Sequence, residues 1–214
     1  MLQKNRNSCL IEGKDEIETQ GDGTMNPVMR DVKTHIETER LILKMPEPGD
    51  GTAVNAAIQR SVNELKPWLG FVQETPTVED TESNAREAHA KFLLRQNLRY
   101  LVFLKEDRTF VGSTGFHRMD WDVPKFELGY WMDTAHSGKG YMREAVEALT
   151  AYALNDLGGA RVEIRCESEN KRSRAIPESL GFELEGTLRN DDLSVDGKRL
   201  TDTCIYAKVR EKGA

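Results

Sequence analysis

Apolar residues recur at two periods along the chain, and the switches between them mark its elements. Across residues 142–157 they fall at steps of three and four: Met142, Ala145, Val146, Leu149, Tyr152, Ala153 and Leu157. That spacing predicts a helix with one buried stripe. Gly158-Gly159 closes it, as glycine does past a helix end. On either side the period is two. Phe126, Leu128, Tyr130 and Met132 alternate with Glu127, Gly129 and Trp131, and Val162, Ile164 and Cys166 alternate with Arg161, Glu163 and Arg165. Both segments read as strands, and a strand–helix–strand crossover of this kind predicts that they pair in parallel.

The rest of the pattern is organised around this unit. Residues 38–44 read as a strand, ended by Pro46, Pro48 and Gly49. Asp50 is placed to open a helix to about Arg60, with a second short helix before Pro67-Trp68-Leu69-Gly70. Thr77 and Asp80 have capping-box spacing at the head of a helix running to about Arg95. Strands over 100–105 and 110–116 flank Glu106-Asp107-Arg108, a turn of hairpin length. A helix over 171–180 stops at Gly181, and two final strands surround Asp196-Gly197. The predicted order is β-αα-α-βββ-α-β-α-ββ: an α/β fold with a mixed sheet covered by helices. Residues 1–33 are polar and without periodicity, which predicts a loosely packed tail preceding a single domain over 34–214; Met25 is an alternative start.

Charge and cysteine content narrow the function classes. Lys and Arg number 30 against 36 Asp and Glu, a net charge of −6. An acidic chain of this kind lacks the basic face of a nucleic-acid binder and suits basic or amine-bearing partners. No apolar run reaches the roughly 18 residues of a membrane span, and the first 30 residues hold no leader-like apolar stretch, so a cytoplasmic protein is expected. Cys9, Cys166 and Cys204 form no CxxC pair or metal-ligand cluster; reduced thiols and no metal are expected.

The chemistry is predicted to lie between the strand ending at Met132 and the helix after it: Ser137-Gly138-Lys139-Gly140-Tyr141-Met142. Two glycines before a helix leave backbone N–H groups open, and the helix N-terminus adds partial positive charge, the makings of a pyrophosphate site. A Walker A loop is excluded because Asp133 stands at its first glycine and Gly140 at its Ser/Thr. A dinucleotide fingerprint is excluded because Arg143 stands at its third glycine.

The same residues resemble the coenzyme A loop, Q/R-x-x-G-x-G/A, of the GNAT-superfamily N-acetyltransferases. The strand Glu127-Leu128-Gly129-Tyr130-Trp131 precedes it at the family's distance. The segment from Asn170 and Ser173 to Gly181-Phe182 is similar to the helix bordering the cofactor thiol. Thr38-Glu39-Arg40-Leu41 and Asp196-Gly197…Asp202 are similar to the RimJ/RimL-like branch, which contains N-terminal acetyltransferases of ribosomal proteins. The likeness covers about residues 36–209.

The resemblance implies a GNAT fold, acetyl-CoA as cofactor and an amine-bearing acceptor. Most prominent among acceptors is a protein N-terminal α-amine; a small amine and a non-catalytic acyl-CoA sensor are the alternatives, in a monomer or homodimer. By the same resemblance, Ser137, Gly138, Lys139, Gly140, Tyr141 and Met142 hold the pyrophosphate. Tyr130, Trp131 and Met132 pair with the pantetheine arm, and Asn170 bonds it. Ser173 faces the sulfur as the donor to the departing thiolate. Glu127, Asp192 and His117 compete for the role of base. Lys139, Arg143, Arg172 and Arg174 are candidates for the cofactor phosphates, and Trp68 and Trp121 either wall the acceptor pocket or fill the core. Two positions depart from the family: Ser137 replaces the loop's Gln or Arg, and Pro177 occupies the place of a tyrosine acid. That proline also frees the Ser173 carbonyl from its helical bond.

Overall fold

The computed structural model describes residues 25–210, and within them the two sequence periods become eight strands and four helices. In chain order these are β1 His35–Glu37, β2 Leu41–Lys44, α1 Gly51–Leu65, α2 Val78–Leu93, β3 Leu98–Leu104, β4 Phe110–Asp120, β5 Lys125–Met132, α3 Tyr141–Asn155, β6 Arg161–Glu167, α4 Lys171–Ser179, β7 Glu183–Leu193 and β8 Leu200–Val209. The strands make one sheet in the order β1-β2-β3-β4-β5-β6-β8-β7. Every pairing is antiparallel except β5 with β6, the parallel pair that the crossover predicts.

Several boundaries differ from the sequence pattern for local reasons. The strand predicted over 38–44 is split. Thr38 N–H donates to the Leu41 carbonyl at 3.0 Å, and the turn this makes separates β1 from β2. α1 is continuous to Leu65, where the sequence pattern predicts a helix to about Arg60 and a short one after it; its buried positions Val54, Ala57, Ile58, Ser61 and Leu65 keep one helical phase across Arg60. The Thr77–Asp80 capping box of α2 forms as the spacing predicts.

Residues 1–24 of the predicted tail lie outside the described residues. Its remainder is tied to the domain: Tyr100 Oη donates to the Lys33 carbonyl at 2.6 Å, Lys33 N–H donates to Tyr152 Oη at 2.8 Å, and the Arg30 guanidinium lies 4.9 Å from the Trp121 ring centre.

The main core lies between α3 and the sheet. Ala145, Val146, Leu149 and Ala153 of the α3 stripe are fully buried against Leu41, Leu43, Val102, Val111, Phe126 and Leu128. A second cluster joins α1 to the opposite face through Val54, Ile58, Leu101 and Phe110. Cys204 is buried and Cys166 half-buried, both as free thiols. Trp121 packs edge-on against Phe126, a core residue.

Two departures from regular pairing shape the sheet's middle. The β5–β6 ladder has only the rungs Lys125↔Arg161, Phe126↔Val162 and Glu127↔Glu163. Beyond Glu127 the two strands part, and the β6-facing edge of residues 128–132 has no strand partner among the described residues. In β4 the register steps from His117↔Glu127 to Asp120↔Lys125, three residues against two, so one extra residue is accommodated as a bulge. Arg118 sits there at φ +47°.

Candidate active site

The glycine loop takes the shape its composition allows. Gly138 and Gly140 have φ of +77° and +81°, a left-handed backbone that a Cβ would strain. No side chain caps α3. The N–H groups of its first turn, Tyr141, Met142 and Arg143, therefore have no partner within the helix. The carboxylate of that turn, Glu144, is drawn away from the helix mouth: it accepts from Thr38 Oγ1 at 2.6 Å, Arg40 N–H at 2.9 Å and Arg40 Nε at 2.7 Å. Arg40 also donates to the Lys139 carbonyl at 3.0 Å, and its guanidinium stacks 4.7 Å from the Tyr141 ring centre. Thr38 and Arg40 thus brace the loop from outside. Burial would raise the Glu144 carboxyl, but its bonds to Thr38 and Arg40 outweigh burial and hold it below its ordinary value.

Ser137, Gly138, Lys139 and Gly140 are exposed, Tyr141 is half-buried, and Met142 is buried in the core. The loop's start is anchored by Asp133, whose fully buried carboxylate accepts from Arg60 and from Ala135 N–H.

Across the parted strands stands α4. Asn170 caps it, its Oδ1 accepting from Ser173 N–H at 3.1 Å, and its Nδ2 has no partner among the described residues. Pro177 cannot donate to the Ser173 carbonyl, and the Tyr130 hydroxyl takes over, donating at 2.7 Å. Ser173 Oγ lies 3.3 Å from Tyr130 Oη, long for a hydroxyl pair, so its proton is only weakly engaged. Burial pushes the Tyr130 hydroxyl well above its ordinary value, which keeps it a donor. Burial likewise raises the neighbouring Cys166 thiol to about 11, so it stays protonated at neutral pH.

On the other face, the sheet and α1–α2 enclose an open cleft of about 560 Å³ lined by Phe71, Arg99, Ser113, His117, Gly129 and Trp131 among others. His117 Nε2 is 3.0 Å from Glu127 Oε1, and Arg118 Nη1 donates to Glu127 Oε2 at 3.3 Å. Consecutive residues of a regular strand point to opposite faces. The bulge brings both side chains to one carboxylate. Burial acts to raise the Glu127 carboxyl, while the His117 bond and the charges of His117, Arg118 and Arg165 bring it below its ordinary value. The His117 ring lies over Gly129: a Cβ there would stand 2.8 Å from Cε1 and 3.3 Å from Nδ1.

The structure thus brings together Glu127, His117, Tyr130 and Trp131 on or beside β5, and Asn170 and Ser173 on α4. Met132 is half-buried against the core. Asp192 stands apart on β7, where its carboxylate accepts from Leu193 N–H; its neighbour Asp191 pairs with Arg165 at 3.0 Å. Arg174 is bound to Tyr206, Glu178 and the Ser168 carbonyl, and Arg143 pairs with Glu147. Aromatic walls come from Phe71 and Trp131, whose ring centres are 6.1 Å apart. The roles of Tyr130's hydroxyl, Thr38, Glu144 and Arg99 carry no local sequence signal, because each contact spans many residues.

A sheet parted beside a glycine-mouthed helix, with a cleft behind the parting, makes a site suited to an extended, phosphate-bearing ligand laid along a strand edge. The chain belongs to the acetyltransferase (GNAT) domain family, whose profile matches residues 40–183. It is 33% identical over 83% of its length to the uncharacterized N-acetyltransferase p20 of Bacillus licheniformis, covering 97% of that protein. It is 28% identical to the ribosomal-protein-serine acetyltransferase of Escherichia coli, over 71% of this chain and 79% of that one. The solved structure of RimL, a ribosomal L7/L12 α-N-protein acetyltransferase in complex with coenzyme A, superposes with a TM-score of 0.76 at 20% identity, covering 82% of this chain and 97% of that one. The protein is an N-acetyltransferase of this family, and acetyl-CoA is the family's acetyl donor. The exposed left-handed glycines, the uncapped N–H groups of α3 and the unpaired edge of β5 suit such a donor.

Proposed function

We propose that the protein acetylates the N-terminal α-amine of a protein, by direct attack of that amine on the thioester of acetyl-CoA. The observation that carries this reading is the open cleft lined by His117 of β4, whose ring Glu127 of β5 holds, β5 being the strand whose free edge faces Ser173. The names of the Escherichia coli relative and of RimL point to the same acceptor class.

Acetyl-CoA supplies a carbonyl activated by a thiol leaving group. The backbone N–H groups of residues 138–142 take its pyrophosphate. The edge of β5 at Tyr130, Trp131 and Met132 pairs with the pantetheine arm as an added strand would, and Asn170 Nδ2 bonds it. Ser173 Oγ swings from its weak contact with Tyr130 to donate to the departing sulfur.

The amine must arrive neutral. An α-amine with a pKa near 7.7–8.0 requires about one unit of deprotonation at pH 7, about 1.4 kcal/mol, whereas lysine near 10.4 requires more than three. A modest base suffices for the first. Glu127, held as a carboxylate, fixes the His117 ring with Nε2–H donated to it, which leaves Nδ1 as the acceptor over Gly129.

The test is free-thiol release with a panel of peptides and amines, the acetylated position being mapped by mass spectrometry. Acetylation of peptide α-amines is expected, and Gly140→Val is expected to abolish donor binding. Transfer only to lysine side chains or small amines would sink the acceptor assignment. Donor binding with no release for any amine would replace transfer by sensing.

A further inference from the structure

The acceptor cleft contains a cation that the proposed chemistry does not use. Arg99, on β3, lines the cleft with its guanidinium bonded to Asn84 Oδ1 of α2. A guanidinium has five N–H donors, and this is the one acceptor that Arg99 finds among the described residues. Other arginines of the sheet are neutralised: Arg161 lies between Glu163 and Glu185, and Arg165 pairs with Asp191. No carboxylate among the described residues lies within 4.0 Å of Arg99. Glu87, whose charge reaches it, is bound to Lys91 at 2.6 Å, and Asp80 of the same cleft is held in the capping box with Thr77. Burial disfavours the charged Arg99. A partly desolvated guanidinium without a counter-charge is compensated well by a bidentate oxyanion.

The floor of the cleft between the His117 ring and Arg99 is a row of two glycines. Arg99 is in register with Gly115 of β4, and Gly115 with Gly129 of β5, over which the His117 ring lies, so two strand spacings separate the arginine from the place of the base. Two strand spacings amount to about 10 Å, which an extended peptide covers in about three residues.

We infer that Arg99 selects the acceptor: the cleft takes a polypeptide N-terminus with an aspartate or glutamate among its first three residues, and Arg99 binds that carboxylate. This rests on the acceptor reading above. Arg99 touches no reacting atom; it fixes the peptide that carries the amine.

The experiment compares peptides differing only by Asp against Asn at the second or third position, with wild-type protein, Arg99→Gln and Arg99→Lys. Turnover and direct peptide binding in the presence of coenzyme A are both measured. The readout is the acid-to-amide ratio, which a general loss of folding does not move. Wild type is expected to favour the acidic peptide about 10-fold or more in kcat/KM and in affinity. Arg99→Gln collapses the ratio to near unity, and Arg99→Lys keeps part of it. A wild-type ratio near unity, or one that survives Arg99→Gln, overturns the inference. Charge-selective binding that depends on Arg99 but leads to no acetylation supports the anion site while defeating the transfer reading.

Discussion

Pro177 and Tyr130 lie 47 positions apart and act on one oxygen. The proline removes the N–H that the Ser173 carbonyl would receive in a regular helix, and the tyrosine hydroxyl restores it at 2.7 Å. Tyr130→Phe would leave that part-buried acceptor without its partner, at a cost of about 1 kcal/mol. Pro177→Ala returns the backbone donor, so the tyrosine substitution should cost less in that background; urea unfolding of the four proteins measures the coupling. Equal costs in both backgrounds would mean that the two residues act independently. Ser173→Ala tests the hydroxyl itself. Loss of a hydrogen bond to a developing thiolate, about 1.5–3 kcal/mol, predicts a turnover about 10- to 100-fold lower with donor affinity nearly intact. Altered affinity with normal turnover would remove Ser173 from the chemistry. The sequence shows that Pro177 frees a carbonyl; it does not show which donor replaces the lost N–H, because the answer comes from another strand.

At the scale of elements, the loop before α3 is held by the turn between β1 and β2. Thr38 and Arg40 reach Glu144 across more than 100 residues. Glu144→Gln weakens the brace, and we expect a higher Kd for acetyl-CoA, read by titration calorimetry. The pH dependence has a definite sign. The Glu144 carboxyl titrates below its ordinary 4.5, so its contribution is present at neutral pH and is lost as the pH falls through the lowered value. The stability gap between wild type and Glu144→Gln should therefore shrink below about pH 4.5; a constant gap would mean that the brace is not ionic. Elements written in a local period were legible: the α3 stripe, the β5 and β6 alternation and the α2 capping box. The turn at Thr38 and the bulge at Arg118 were not, because they depend on register with a neighbouring strand. The bulge explains how His117 and Arg118, adjacent in the chain, serve one carboxylate.

Across the described residues, a second cluster lies under α1 and the main core spans the sheet and α3. Leu149 lies at its centre with no exposed surface. Leu149→Ala should lower unfolding free energy by about 2–5 kcal/mol, measurable as a shift in denaturation midpoint. A shift well under that range would mean that the helix slides inward to refill the space. The parted seam gives the architecture a further property. Strands β1–β5 and β6–β8 are two half-sheets sharing three rungs and the α3 crossover. An arm laid along the free edge of β5 works as mortar between two walls. On the proposed reading, loading the enzyme and stiffening this seam would then become one event.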